Sequence, residues 1–388
     1  MLYRPESFEP LTDEPWDEER VRSGIRAIVA DADRAFDPAS LWPTHEWDAW
    51  EVATPLKDLY AGAAGVIWAL DSLRRRGHAE SAIDLPAAAA RVLELWDPEA
   101  DLPSETPVPS PARSSLLQGE TGPLLVVCRL APSAEAADAL FGLVRDNLSN
   151  DADELMWGTP GTMLAAHAMH GWSGEERWAE IRDETAEVLL ARRDAEGLWT
   201  QQLHGKSYCD LGPVHGLVGN VHVLLQRGGN GTLADETAAV LARDAVVEDG
   251  LANWPALAGG ELVPRDGEIR LQWCHGAPGI VIAAAPYLDE ELLLAGAELT
   301  WRAGAHGAEK GVGICHGTAG NGFALLKAFE RTGDERWLGR ARRFAVHALA
   351  QAEASPGRYS LFTGDVGVAL FAAACLDGVV DFPIVDWH

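Results

Sequence analysis

The sequence predicts an all-α protein made of seven helical hairpins closed into a double ring. A Gly-x-x-Gly motif recurs seven times, an apolar stretch of helical character follows each copy, and alternating β-branched runs are scarce. The first glycines are Gly62, Gly119, Gly158, Gly216, Gly276, Gly317 and Gly364, spaced at intervals of 39 to 60 residues. Each interval accommodates one apolar helix, a turn and an amphipathic return helix.

In chain order, residues 1–50 form an N-terminal segment expected to pack on the ring, and residues 1–388 are expected to make a single domain. Inner helices are marked by apolar runs such as residues 66–70 and 323–328. Return helices carry mixed charge; in the segment that follows Asp334, Trp337, Ala341 and Phe344 fall on one face at helical spacing. Turns are expected at residues 228–231, at Gly259-Gly260 and at residues 331–334. Glycine suits the entry to a crowded inner ring because it tolerates positive φ or close backbone approach, which a Cβ obstructs. An open solenoid is the competing arrangement; it wants polar capping repeats, and none is identifiable.

Composition narrows the function. Hydrophobic residues at 47% and charged residues at 23% describe a chain that folds. The net charge of −28 leaves no basic surface for phosphates, so nucleic acid is excluded as a partner. Only Lys57, Lys206, Lys310 and Lys327 are lysines, and the acidic excess reads as a solvated surface. The N-terminus has acidic residues and prolines where a signal peptide needs an apolar core, and no apolar run reaches membrane-spanning length uninterrupted. A cytoplasmic protein without membrane insertion is expected.

Five cysteines in such a chain are expected as reduced thiols. Cys128 and Cys375 lie in apolar runs and read as inert core residues. Cys274 and Cys315 each open the tripeptide Cys-His-Gly. The residue before each first glycine is, in order, Ala61, Gln118, Trp157, His215, His275, His316 and Thr363, so histidine occupies three successive repeats. Each of these histidines alone would suit a turn or core role. Together with two cysteines in register they predict a metal site, and zinc suits a thiolate and imidazole set. Four ligands from Cys274, His275, Cys315 and His316 would close the tetrahedron as a structural site, whereas three would leave a position open for chemistry. Spacing alone leaves both.

The segment Trp273-Cys-His-Gly-Ala-Pro-Gly279, followed by Cys315-His-Gly-Thr-Ala-Gly-Asn321, resembles the LanC-like family, that is, lanthionine synthetase C and its stand-alone, glutathione-binding relatives. The seven glycine motifs extend the likeness over nearly the whole chain. The resemblance implies an α/α toroid, with Cys274, Cys315 and His316 as zinc ligands and His275 beside the metal without binding it. It implies that a thiol takes the open position as a thiolate and adds to dehydroalanine or dehydrobutyrine, leaving an enolate that needs a proton. His215 matches the family's catalytic histidine, His275 is a second acid–base candidate, and Arg270 matches an arginine suited to the enolate oxygen. A salt bridge at the rim is the plain alternative for Arg270. Glu154 matches an acidic residue that would orient His215, with a helix cap as its plain alternative. Lys310 and Arg4 match basic residues that hold glutathione carboxylates; a solvated terminal residue is the alternative for Arg4.

The expected partners are therefore a dehydrated peptide or protein and a small thiol such as glutathione. No dehydratase region is visible, so a separate dehydratase would make the alkene. Thiol addition in trans is the leading function, with ring closure in a lanthipeptide precursor and a non-enzymatic thiol or peptide sensor as alternatives, and a six-hairpin glycosidase is set aside. The last would want paired carboxylates where the register shows thiols and imidazoles.

Overall fold

The computed structural model describes residues 1–49, 52, 54–103, 106–228, 231–264, 269–307 and 310–386. In chain order its elements are β1 (Phe8–Glu9), α1 (Glu18–Ala35), α2 (Ala63–Arg75), α3 (Leu85–Leu95), α4 (Pro98–Asp101), α5 (Thr121–Leu130), α6 (Ala134–Asp146), α7 (Thr159–Ser173) and α8 (Glu176–Ala191). There follow β2 (Gln201–Leu203), β3 (Lys206–Tyr208), α9 (Leu217–Gln226), α10 (Gly231–Asp244), β4 (Val246–Glu248), β5 (Leu251–Asn253) and α11 (Ala277–Ala284). The chain ends with α12 (Glu290–Ala303), β6 (Ala305–His306), α13 (Thr318–Thr332), α14 (Glu335–Ala354) and α15 (Asp365–Asp377). Strands are confined, among the described residues, to the two-stranded antiparallel pairs β1–β6, β2–β3 and β4–β5.

The chain divides into two compact units. One comprises residues 26–208 and 357–362; in it α2, α5 and α7 lie side by side, backed by α3, α6 and α8. The other comprises residues 1–25, 209–356 and 363–386; there α9, α11, α13 and α15 lie side by side, backed by α10, α12 and α14. Helices that start at a glycine motif are apolar because they are enclosed: every residue of α11 is buried, as is Asp365 through Cys375 of α15. Return helices bury one stripe. In α14 that stripe includes Trp337, Ala341 and Phe344, as their spacing predicts.

The glycines explain where these helices begin. Among the first glycines only Gly276 has positive φ, at +91°. Close backbone approach constrains both glycines of the motif: a Cβ on Gly119, Gly216, Gly276 or Gly317 would lie 1.9–2.5 Å from a carbonyl oxygen six residues earlier, and the second glycines are placed alike. A Cβ on Gly65, Gly122, Gly161, Gly219, Gly279 or Gly320 would fall 1.9–2.5 Å from the carbonyl oxygen of the residue six positions earlier. The turn thus folds back onto the first turn of its own helix at a distance only a hydrogen allows. The turn at residues 331–334 appears as expected, with Gly333 left-handed at φ +67° to end α13. Residues 229 and 230 of another expected turn lie outside the described residues. Cys128 and Cys375 are buried in α5 and α15, and burial pushes the Cys128 thiol up to about 11, in keeping with an inert core residue. Among the described residues no helix is long and apolar enough to cross a membrane.

Gly219→Ala places its Cβ 2.0 Å from the Pro213 oxygen and 2.8 Å from its carbon. It should cost several kcal/mol, on the order of the largest single-site effects, in chemical denaturation. Gly339→Ala, exposed on α14 with open space around its Cβ, should stabilise by about 0.5–1 kcal/mol and serves as the contrast.

Candidate metal centre

Three turns of one unit build the site: those preceding α9, α11 and α13. Before α11, the backbone N–H of Gln272 donates to the His275 carbonyl at 3.0 Å and that of His275 returns a bond to the Gln272 carbonyl at 3.2 Å. The loop so closed presents Cys274 and His275 together. Gly276 at φ +91° then starts α11, where Asn253 Oδ1 accepts from the Ala277 N–H at 2.8 Å and Asn253 Nδ2 donates to the Leu2 carbonyl at 2.8 Å. Trp273 faces the other way and stacks on Phe382 with centroids 4.6 Å apart. Two donors fix the Leu271 carbonyl: His306 Nε2 at 2.9 Å and Asn321 Nδ2 at 3.1 Å.

Before α13, Gly317 N–H donates to the Gly313 carbonyl at 3.1 Å and the turn delivers Cys315 and His316. One ligand atom from each of Cys274, Cys315 and His316 lies within 4.8 Å of the others, the cysteines buried and the histidine half-buried. Two thiols and an imidazole at this mutual distance are the donor set and spacing that zinc takes, and they leave one tetrahedral position for an outside ligand. The residues present fit the metal.

His275 is the neighbour of that cluster. Its Nε2 lies 3.1 Å from Asp210 Oδ2, and its Nδ1 lies 3.2 Å from Cys274 Sγ and 3.1 Å from Arg270 Nη1. With a proton, Nδ1 donates to the sulfur; without one, it accepts from the guanidinium. Burial disfavours the charged ring, but the negative charges of Asp210 and Cys274 outweigh it and raise His275 to about 10. Burial likewise opposes ionisation of Cys274, yet the hydrogen bond with Cys315 and the positive charges of His275 and His316 hold its thiol well below the ordinary range. Gln272 Nε2 adds a donor 2.8 Å from the same sulfur.

The turn before α9 supplies Asp210 and His215. Asp210 Oδ1 accepts from the Gly212 N–H at 2.6 Å, and a Cβ on Gly212 would lie 2.3 Å from the Cys274 carbonyl oxygen, so the two turns touch through backbone. His215 is half-buried, its ring centroid 6.0 Å from that of His275.

The structure therefore brings Cys274, Cys315, His316, His275, His215 and Arg270 together within one unit. Lys310 is half-buried, and its charge acts on His306. Arg4 forms an ion pair with Glu6 at 3.0 Å. Glu154, in the other unit, accepts from the backbone N–H groups of Met156, Trp157 and Gly158, at 3.1 Å from Met156 and 3.2 Å from Gly158. Its carboxylate thus heads the third glycine turn, as Asp58 does the first, accepting from the Ala61 N–H at 2.7 Å. Asp210 was not found from the sequence. A signal existed: it precedes His215 by the five residues that separate Arg270 from His275.

Apolar helices started by paired glycines, with two thiols and an imidazole converging at their N-termini, define an α-helical repeat protein with three side chains placed to hold a metal ion. The chain belongs to the lanthionine synthetase C-like protein family, whose pattern it matches over residues 52–386. It is 26% identical over 293 residues to glutathione S-transferase LANCL1 of Danio rerio, which covers 66% of this chain and 67% of that protein. It is 31% identical over 131 residues to LanC-like protein GCL1 of Arabidopsis thaliana, covering 30% of this chain and 28% of that one. Among solved structures it is similar to nisin cyclase, with a TM-score of 0.57 at 14% identity over 92% of this chain and 94% of that chain. That likeness shows the fold, the α/α toroid expected from the glycine repeats.

His306 provides a pH test of the scaffold. Its Nε2–H is used on Leu271, and its buried Nδ1 has no hydrogen-bond partner among the described residues. Burial pushes it down to about 4, with Lys310 and His316 adding repulsion. The folded state thus binds its proton later than the unfolded chain does. Stability is whole above pH 6.5 and falls, by on the order of 3 kcal/mol, between pH 6.5 and 4. Denaturation curves across that window should lose this component in His306→Gln, which keeps a donor for Leu271 and cannot be protonated.

Proposed function

We propose that this protein is a zinc-dependent, thioether-forming LanC-like enzyme that adds a thiol to dehydroalanine or dehydrobutyrine in a peptide or protein, glutathione being the favoured thiol. The observation that carries this proposal is the convergence of Cys274, Cys315 and His316 with His275 held to one side by Asp210. In this proposal the three converging residues are the zinc ligands and the whole chain acts as one domain. When bound, the metal would keep a coordinated thiol deprotonated at neutral pH.

The chain's own residues supply the rest. His215 accepts the proton released by the thiol; the sulfur forms its bond at the β-carbon as the alkene π-pair moves to the α-carbon and carbonyl oxygen. Arg270, whose guanidinium is 3.1 Å from His275, stabilises the enolate oxygen. His215 or His275 then returns a proton to the α-carbon. Lys310 and Arg4 take the carboxylates of glutathione, whereas the Glu154 carboxylate, taken up by three backbone N–H groups, holds its own glycine turn. Glutathione is favoured because the similar Danio rerio protein is named a glutathione S-transferase and because the resemblance read from the sequence pairs His275, Glu154 and Lys310 with residues of the stand-alone relatives. The alkene would come from a separate dehydratase, and five cysteines expected as reduced thiols suit the reducing cytoplasm. Ring closure in a lanthipeptide precursor is the second reading, favoured by the fold shared with nisin cyclase.

Mass spectrometry of a cysteine-free dehydroalanine peptide, incubated with glutathione and zinc-loaded protein, should reveal a glutathione adduct that Cys315→Ala protein does not form. Zinc bound without any adduct would turn the assignment to ring closure. Protein that binds no zinc would overturn both. Arg270→Gln should lower kcat by about a hundredfold with a much smaller change in KM, since the charge it would stabilise exists only at the enolate.

A further inference from the structure

A second layer of contacts reaches the two cysteine turns from the N-terminal strand, and no part of the mechanism uses it. β1 pairs with β6 in register, Phe8 opposite His306 and Glu9 opposite Ala305. The Phe8 ring lies on His306 with centroids 4.7 Å apart, and His306 holds the Leu271 carbonyl three residues before Cys274. Glu9 Oε1 accepts from Gln351 Nε2 at 2.8 Å and from His347 Nε2 at 2.9 Å, and His347 Nδ1 accepts from the Thr12 N–H at 3.0 Å. Gln351 Nε2 also donates to the His306 carbonyl at 2.8 Å, and its Oε1 accepts from Thr318 Oγ1 at 2.7 Å. Thr318 is fully buried and stands two residues after His316. The strand has a built seat: a Cβ on Gly304, which has φ +88°, would lie 2.6 Å from the Glu9 carbonyl oxygen, so the close approach of β1 needs glycine there.

One amide side chain therefore links the strand, the His306 support of the Cys274 turn and the first residue of the helix that follows the His316 turn. We propose that Glu9, Gln351 and Thr318 are positioning residues for the metal centre, which fix the Cys274 turn and the His316 turn in the mutual register that lets three ligands converge. This rests on the zinc-site reading above. Residues that orient ligands from behind typically change metal affinity about 10–100-fold when removed. These three act through backbone turns, so the lower end applies.

The test is metal binding by the full chain, with zinc affinity read by chelator competition and cobalt substitution read by its thiolate charge-transfer and ligand-field bands. Thr318→Val removes the hydroxyl at nearly constant volume, Thr318→Ser keeps it, and Gln351→Leu removes both ends of the link. Thr318→Val and Gln351→Leu should bind zinc about tenfold more weakly and show altered cobalt bands, while Thr318→Ser retains wild-type values. Wild-type affinity and spectra in folded Thr318→Val would overturn the proposal, as would a loss in Thr318→Ser equal to that in Thr318→Val. If Gln351→Leu fails to fold, the Thr318 pair decides alone. Wild-type protein that takes up neither metal would bring down the zinc-site reading itself and this proposal with it.

Discussion

The contact that the second glycine makes, in six of the seven motifs, with the carbonyl six residues before it is the constraint on which this structure depends. At 1.9–2.5 Å from a would-be Cβ, it leaves no room for any side chain, and it forces each connecting loop to double back over the helix it starts. The residues just before the first glycine are thereby held at the N-terminal end of an apolar helix. Because α9, α11 and α13 lie side by side within one unit, their three turns present side chains to one another. A metal-type cluster needs no long loop to reach across; it follows from the same backbone device used three times.

Charge explains why that cluster is poised for a cation. Two thiols, the Asp210 carboxylate, three imidazoles and the Arg270 guanidinium share a largely buried volume. Buried charge is costly unless partnered. Asp210 answers His275, and the histidines favour the ionised form of Cys274. The acidic excess of the whole chain has no bearing on this local balance, because exposed charges beyond roughly 10 Å are screened by salt.

Much of the fold and the centre of the site were legible because they are written locally and repeated. The seven glycine pairs, the Cys-His-Gly tripeptides and the apolar runs can each be seen within a few residues, and periodicity turns them into a register. Both reasons read for the glycines are present: positive φ at Gly276, and close backbone approach at first and second positions of the motif alike. Asp210 was missed because its partner lies 65 residues away, and the Glu9–Gln351 bond spans 342. No local pattern announces a pairing of that length. Glu154 shows the converse: its residue type matched a family position, while its hydrogen bonds to Met156, Trp157 and Gly158 are visible only in three dimensions.

The backbone of each glycine turn is set by the glycine and the carbonyl beneath it, so the side chain just before the motif is free to vary. Alanine, glutamine, tryptophan, histidine and threonine all occupy that socket in this one chain. Chemistry can therefore be exchanged by point substitution without remaking the scaffold, a separation of duties that makes the architecture easy for evolution to retool. The same separation invites design: Thr363, which precedes α15 beside α13, is a ready position for grafting a new ligand or acid onto an unchanged frame.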